Sequence, residues 1–370
     1  MSDRYLENVF LGEDRGLVSW LIRAALWPLS LIYRIGLAIY LWVYNIGLRK
    51  RYKLGVPVIS VGNLTAGGTG KTPAVQTICR MLREQGHRVV VLSRGHGGSA
   101  RGATIASDGE SILSTSAEVG DEPILLARTL PGIPIVVGRD RRKSGRLACE
   151  RFAPDVIVLD DGLQYWQLHR DLDVILLNAW KPFGSGFVLP MGDLREPKSG
   201  LRRAGLVLLT GAASLSKVQC DAVRAAISKL APGIPVFAAN HQPACIRSIE
   251  TGVENAPNWA AGRKAFAFCG IGQPDSFLRM LGDLGASIVG NLVFADHYRL
   301  SDRDITAIID GAKACRAEAI ITTEKDLARL DDVQIPNLHT LVIKLEIEDS
   351  SHFAQYIADR IKLQNSPPAS

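Results

Sequence analysis

Hydrophobic positions follow different patterns in different parts of this 370-residue chain. Residues 16–48 are almost wholly apolar, broken only by Arg23 and Arg34 among charged residues. From residue 56 onward, short β-branched runs alternate with amphipathic stretches. The apolar runs predict strands at 56–61, 88–93, 133–137, 155–160, 172–177, 205–209, 234–239, 264–269, 286–293, 318–322 and 340–345. The intervening periodicity predicts helices at 71–85, 118–130, 141–152, 214–230, 274–284, 302–315 and 351–363. Near-continuous apolar strands between helices imply an α/β fold, a parallel sheet covered on both faces. So many strands sit more comfortably in two units, with a division between 200 and 245. The expected organisation is an N-terminal helical segment (1–53), a larger lobe (54–235), a smaller C-terminal α/β lobe (236–363) and a disordered tail (364–370). No internal repeat of fixed period is visible.

The N-terminal segment has membrane character. At about 100° per residue, Arg23, Ser30, Arg34 and Asn45 fall in one narrow stripe of an otherwise greasy helix. Trp20, Trp27, Trp42, Tyr33, Tyr40 and Tyr44 all lie here, and such rings favour the headgroup level of a bilayer. Pro28 predicts a kink or a division of the helix. The longest uncharged run, 35–48, is shorter than the ~20 residues a span needs. Arg49, Lys50, Arg51 and Lys53 follow directly, which keeps the rest of the chain cytoplasmic. Peripheral or monotopic attachment to the inner leaflet of a membrane is the favoured reading. A single span with snorkelling arginines is the alternative; a buried core helix ranks last, because both arginines would need partners. Asp3, Glu7, Glu13 and Asp14 argue against a signal peptide.

Charge sharpens the contrast. Residues 1–55 hold eight basic and four acidic side chains, a net of +4 out of +6 for the whole chain. The remainder is nearly neutral, which disfavours dedicated nucleic-acid binding, where the basic excess spreads over the folded surface. The six cysteines form no CxxC pair and no Cys/His cluster of zinc spacing, so they are read as reduced core thiols.

The strand at 56–61 runs into Gly62-Asn63-Leu64-Thr65-Ala66-Gly67-Gly68-Thr69-Gly70-Lys71-Thr72-Pro73, and an amphipathic helix follows. Small residues there let successive N–H groups converge on phosphate oxygens, and the helix N-terminus adds partial positive charge. Thr65, Ala66, Gly67, Gly68, Thr69, Gly70, Lys71 and Thr72 form the expected nucleotide cradle. Lys71 reaches toward β/γ-phosphates and the Thr72 hydroxyl toward Mg²⁺. One departure stands out: the usual first glycine, six residues before the lysine, is Thr65. A second strand, 155–160, delivers Asp160 and Asp161 to the edge of the sheet where ligands bind in such folds, and one carboxylate there suits Mg²⁺.

Together with the loop, the strings Ser93-Arg94-Gly95, Gly120-Asp121-Glu122-Pro123, Asp160-Asp161-Gly162-Leu163-Gln164, Leu194-Arg195-Glu196-Pro197, Asp296-His297-Tyr298 and Thr322-Thr323-Glu324-Lys325-Asp326 resemble the tetraacyldisaccharide 4′-kinase (lipid A 4′-kinase) family, in that family's order. The resemblance implies a P-loop fold and transfer of the γ-phosphoryl group of ATP to the 4′-hydroxyl of an acylated glucosamine disaccharide 1-phosphate, giving lipid IV-A. It implies Asp121 as base on that hydroxyl, assisted by His297, with Asp160, Asp161 and Glu196 tied to Mg-ATP. Tyr165 stands where the family commonly has His. By themselves, Asp121 before a helix reads as an N-cap and His297 as a loop histidine. The basic run Arg139, Arg141, Arg142, Lys143, Arg146 opens a helix against its dipole; a substrate phosphate, an anionic lipid headgroup or a solvated face would each account for it. The competing functional classes are a membrane-associated P-loop ATPase or GTPase switch, for which no Asn-Lys-x-Asp guanine signature is present in the expected place, and a soluble small-molecule kinase, which the N-terminal segment argues against.

Overall fold

The computed structural model describes residues 9–10, 16–296, 298–330 and 335–365. The long apolar segment forms one helix, α1 (Leu17–Asn45), which runs through Pro28 without dividing. The chain then alternates strand and helix: β1 (Val58–Asn63), α2 (Lys71–Glu84), β2 (Val89–Ser93), β3 (Thr104–Ser107), α3 (Ser116–Val119), α4 (Asp121–Thr129), β4 (Ile135–Val137), α5 (Arg141–Phe152), β5 (Val156–Asp160), β6 (Leu172–Asn178), β7 (Leu206–Thr210) and α6 (Lys217–Leu230). The second half holds β8 (Val236–Ser248), β9 (Glu254–Asn255), β10 (Lys264–Cys269), α7 (Pro274–Asp283), β11 (Ser287–Val293), α8 (Asp302–Ala314), β12 (Ala319–Thr323), α9 (Glu324–Leu327), β13 (Leu338–Ile347) and α10 (Ser350–Asn365).

One 13-stranded sheet runs through the molecule in the order β11-β10-β12-β13-β8-β7-β6-β1-β5-β2-β4-β3, with β9 on β8. Most neighbours are parallel, and the central parallel strands are buried on both faces, as their apolar composition requires; the edge strand β11 is only partly buried. Strand β8 joins the two halves. Its first residues pair parallel with β7, and from Ala239 onward it pairs antiparallel with β13. The apolar run predicts only 234–239, because the continuation is polar and contains Pro243. A register shift opposite Val342/Ile343 accommodates that part of the ladder, as proline in a strand commonly requires.

The ladder is continuous, but the apolar packing is grouped. Val61, Ile78, Leu126 and Val158 pack on one face around the first half, and Leu92, Ala148 and Ile157 on the other. Separate clusters centred on Ala267 and Phe268 flank β10–β12. Helix α10 does not stay with the second half: Phe353, Ile357 and Ile361 join the cluster of Val61 and Ile78. It also continues to Asn365, two residues into the expected tail; 366–370 lie outside the described residues.

The polar stripe on α1 is only partly the wet face the sequence suggested. Ser30 is buried and its hydroxyl donates to Val188 O at 2.8 Å, and Arg23 donates to Val9 O at 2.8 and 3.1 Å. Buried Ser19 and Tyr44 accompany them, so small and polar groups make the seam against the protein. Arg34 and Asn45 remain exposed. Trp20, Trp27, Ile32, Ile35, Ile39 and Trp42 face outward.

Candidate active site

The phosphate loop is set by its two neighbours. Strand β1 pairs parallel with β5, opposing Val61 to Asp160, so loop and acidic pair emerge side by side. Gly62 is glycine for space: a Cβ there would stand 2.5 Å from the Leu163 Cβ. Thr65 is explained by its backbone. It forms a β-bridge with Leu194, and Ala66 N donates to Asp193 O at 2.6 Å while Arg195 N donates to Leu64 O at 2.7 Å. That position is extended, so it does not need the freedom of glycine. The left-handed turns fall instead at Gly67 (φ 111°) and Gly70 (φ 83°).

Lys71 is the first residue of α2, with Thr72 next, so the loop N–H groups and the helix dipole converge at one place. The Lys71 ammonium donates to Asn63 Oδ1 at 3.2 Å and stands 3.8 Å from Asp161 Oδ1. Buried Asn63 also donates to Thr69 Oγ1 at 2.8 Å, which ties the strand end to the far side of the loop. An asparagine there has no hydrophobic periodicity to reveal it, and the sequence reading assigned it no role.

Asp160 is 2% exposed and accepts a bond from Ser93 Oγ at 3.1 Å. Burial, then the charges of Glu122 and Asp161, push its carboxyl up to about 7. Burial also acts upward on Asp161, but Lys71, Arg195 and Arg141 outweigh it and hold that carboxyl below its ordinary value. Arg195 donates to both Asp161 oxygens at 2.9 and 2.8 Å. Arg141 is buried, its Nε has no hydrogen-bond partner, and its guanidinium lies 5.0 Å from the Tyr165 ring centre. The sequence marked Arg141 only as one of a basic run; the structure separates it from its neighbours, since Arg142 turns back to the capping Asp140. The Tyr165 hydroxyl donates to the same Asp140 at 2.9 Å.

Buried Asp160 and half-buried Asp161, whose charges repel, stand beside a buried guanidinium with an unpartnered Nε and the Lys71 ammonium, a donor and acceptor set that suits a polyphosphate with a divalent cation. Among the described residues no group of three or more His, Cys, Asp or Glu is placed to hold a metal ion by itself. Mg²⁺ needs none, since it takes one or two carboxylates and fills its shell with phosphate oxygens and water. Thr72, Asp160 and Asp161 fit that demand. Glu196 is placed differently: it is 1% exposed and its carboxylate is engaged by Arg203 at 2.7–2.8 Å. Arg203 in turn stacks 4.9 Å from the Trp166 ring centre.

Asp121 is the first residue of α4, and Gly120 holds the cap position. The capping role that the sequence alone suggests for Asp121 is therefore not what it does. Its Oδ2 accepts a bond from Arg329 Nε at 3.0 Å, an arginine from the far half of the chain that the sequence did not single out. Ser93-Arg94-Gly95 packs beneath this turn, since Cβ atoms on Gly95, Gly98 or Gly120 would collide with backbone of the facing segment. His297 lies outside the described residues. Its neighbour Asp296 stands 3.2 Å from the Lys325 ammonium and 3.7 Å from Arg329.

The family model of tetraacyldisaccharide-1-P 4′-kinase matches residues 22–362. The chain belongs to this family. A tetraacyldisaccharide 4′-kinase of Syntrophus aciditrophicus is 41% identical over 346 residues, covering 90% of this chain and 91% of that protein. One from Halothermothrix orenii is 34% identical and covers 96% and 97%. Among solved structures, the "apo" form of LpxK from Aquifex aeolicus in complex with ATP superposes with a TM-score of 0.76 at 32% identity, over 92% of this chain and 99% of that one. Family membership makes this chain an ATP-using kinase.

Proposed function

We propose that this site transfers the γ-phosphoryl group of ATP to the 4′-hydroxyl of tetraacyldisaccharide 1-phosphate, with Asp121 as the base. The observation that carries the reading is the meeting of the Lys71 loop with the Asp160–Asp161 pair at adjoining strand ends, in a chain of this family. Thr65 through Thr72 cradle the ATP phosphates. Lys71, Arg195 and Arg141 neutralise charge that grows on the transferring group. Thr72, Asp160 and Asp161 would hold Mg²⁺, which would supply charge neutralisation on the phosphates. Glu196 acts one step removed, fixing through Arg203 the segment that carries Arg195.

A sugar hydroxyl is a weak nucleophile, so a carboxylate within reach of its proton speeds attack. Asp121 opens the same turn as Glu122, whose charge acts on Asp160, and this supports a place for Asp121 near the phosphate end of the site. His297 supports it from the second lobe, where Asp296 already meets the Arg329 that binds Asp121. The acceptor then lies between a nucleotide lobe (54–235) and a C-terminal lobe (236–363). The outward apolar face of α1 lies in the headgroup region of the cytoplasmic leaflet and brings the site to its acylated substrate.

A radiolabelled ATP transfer assay with the disaccharide 1-phosphate tests this. Asp121→Asn should lower turnover by ~10²–10⁴-fold with ATP binding unchanged. Turnover near wild type would remove Asp121 as base. Rapid ATP hydrolysis without the acceptor would instead favour a switch ATPase.

A further inference from the structure

Thr322-Thr323-Glu324-Lys325-Asp326 sits far along the chain from the phosphate loop, and nothing in the chemistry above uses it. The structure gives it a job. Thr323 caps the short helix α9: Asp326 N donates to its hydroxyl at 3.1 Å, and that hydroxyl donates to Asp326 Oδ2 at 2.6 Å. The other Asp326 oxygen accepts from Gly270 N at 3.0 Å and from Arg329 at 3.1 Å. Arg329 also donates to Gly270 O at 2.7 Å and, through Nε, to Asp121 Oδ2 at 3.0 Å. Its side chain is 2% exposed. Gly270 leaves the room this needs, because a Cβ there would stand 3.2 Å from Asp326 Oδ1. One guanidinium thus gathers Asp121, Asp296 and Asp326, which belong to three separate motifs.

We propose that Arg329 is a positioning residue for the phosphoryl transfer: it holds the Asp121 carboxylate in place through Oδ2, and the Thr-Thr-Glu-Lys-Asp turn exists to present it. The inference rests on Asp121 being the base. A carboxylate that must meet a hydroxyl proton at hydrogen-bond distance gains from being held in one place, since a displacement of about 1 Å can cost ~10²-fold in rate. A guanidinium does this because its planar fork bonds in fixed directions, whereas an ammonium does not. The fork is itself immobilised: Asp326 and Gly270 O hold one arm, so the Nε–H direction is set by the second lobe. A second tie, Arg128 to Leu327 O at 2.9 Å, joins α4 to α9 beside it. The base is therefore carried by one lobe and aimed by the other, which makes the reaction depend on their register.

A double-mutant cycle separates positioning from plain structural support. Arg329→Ala should lower kcat by on the order of 10²-fold with the KM for ATP unchanged. In an Asp121→Asn background the same change should produce no further loss of kcat. Arg329→Lys keeps the buried charge, and with it the fold, and should show the same pattern at smaller size if the alanine variant does not fold. Equal proportional losses in both backgrounds would overturn the proposal, as would unchanged kcat with a lowered melting temperature. Near wild-type turnover of Asp121→Asn alone would instead overturn the reading of Asp121 on which it rests.

Discussion

Lys71 is held between Asn63 Oδ1 and Asp161 Oδ1, so its charge is already aimed at the mouth of the loop before any phosphate arrives. Removing it as Lys71→Ala should lower transfer by ~10²–10³-fold, the usual size for loss of one preorganised charge on a developing anion, measured as kcat with the lipid acceptor. Asp160 offers a second test, through pH and metal. Its folded pKa is raised to about 7, chiefly by burial. A carboxyl raised on folding binds its proton more tightly in the native state. Its contribution to stability is therefore full below the ordinary carboxylate range and is lost as pH rises through about 7. Mg²⁺ competes with that proton, so the rise in melting temperature on adding Mg²⁺ should be larger above about pH 7 than below it. Asp160→Asn should remove both the decline and the Mg²⁺ dependence. Melts at two pH values with and without the metal read this directly, and a pH-independent Mg²⁺ effect would place the metal elsewhere.

Helix α1 shows how one element divides its faces. Only Ser19, Ser30 and Tyr44 are buried along it, so it adds little apolar area to the core. Its two bonds to the 188–195 segment, from Ser30 to Val188 O and from Tyr33 to Arg195 O, set its direction instead. A protein starting near Lys53 should keep its fold, with a melting temperature lower by no more than a few degrees, but lose binding to vesicles. Unfolding of that shortened chain would show α1 to be a core element. High salt alone should release the full-length protein poorly, since screening weakens charge attraction but leaves apolar burial in place.

Across the whole molecule, the two halves are less separable than a linear division suggests. Strand β8 pairs with β7 of one half and β13 of the other, and Phe353 of α10 is fully buried against the first half's core. Phe353→Ala should cost about 3–5 kcal/mol, as for other buried aromatics, and should lower the stability of the nucleotide lobe itself. Denaturant unfolding followed by nucleotide-binding competence checks this. Loss confined to the second half, with ATP binding intact, would mean that α10 supports the second half alone.

The apolar runs and glycines determined much by themselves. Each predicted β-branched run from 56 onward is a strand in the structure, because burial on both faces leaves a composition that little else tolerates. Gly-Lys-Thr does stand between a strand and a helix, as the sequence suggests, because that arrangement is local in sequence. Short or polar pieces escaped notice: β3, β9 and the polar continuation of β8 owe their pairing to neighbours rather than to their own pattern. The site was legible in the same uneven way. Asp160 and Asp161 lie at the end of a strand and Lys71 at the start of the helix after one, where the pattern itself points, whereas Asp121 looked like a cap and Arg329 was not singled out. Only the tertiary structure brings that buried guanidinium, 208 residues distant, onto the Asp121 carboxylate. Partners separated by so much chain leave no periodicity in either segment, and their meeting depends on how the sheet and its two flanking layers close.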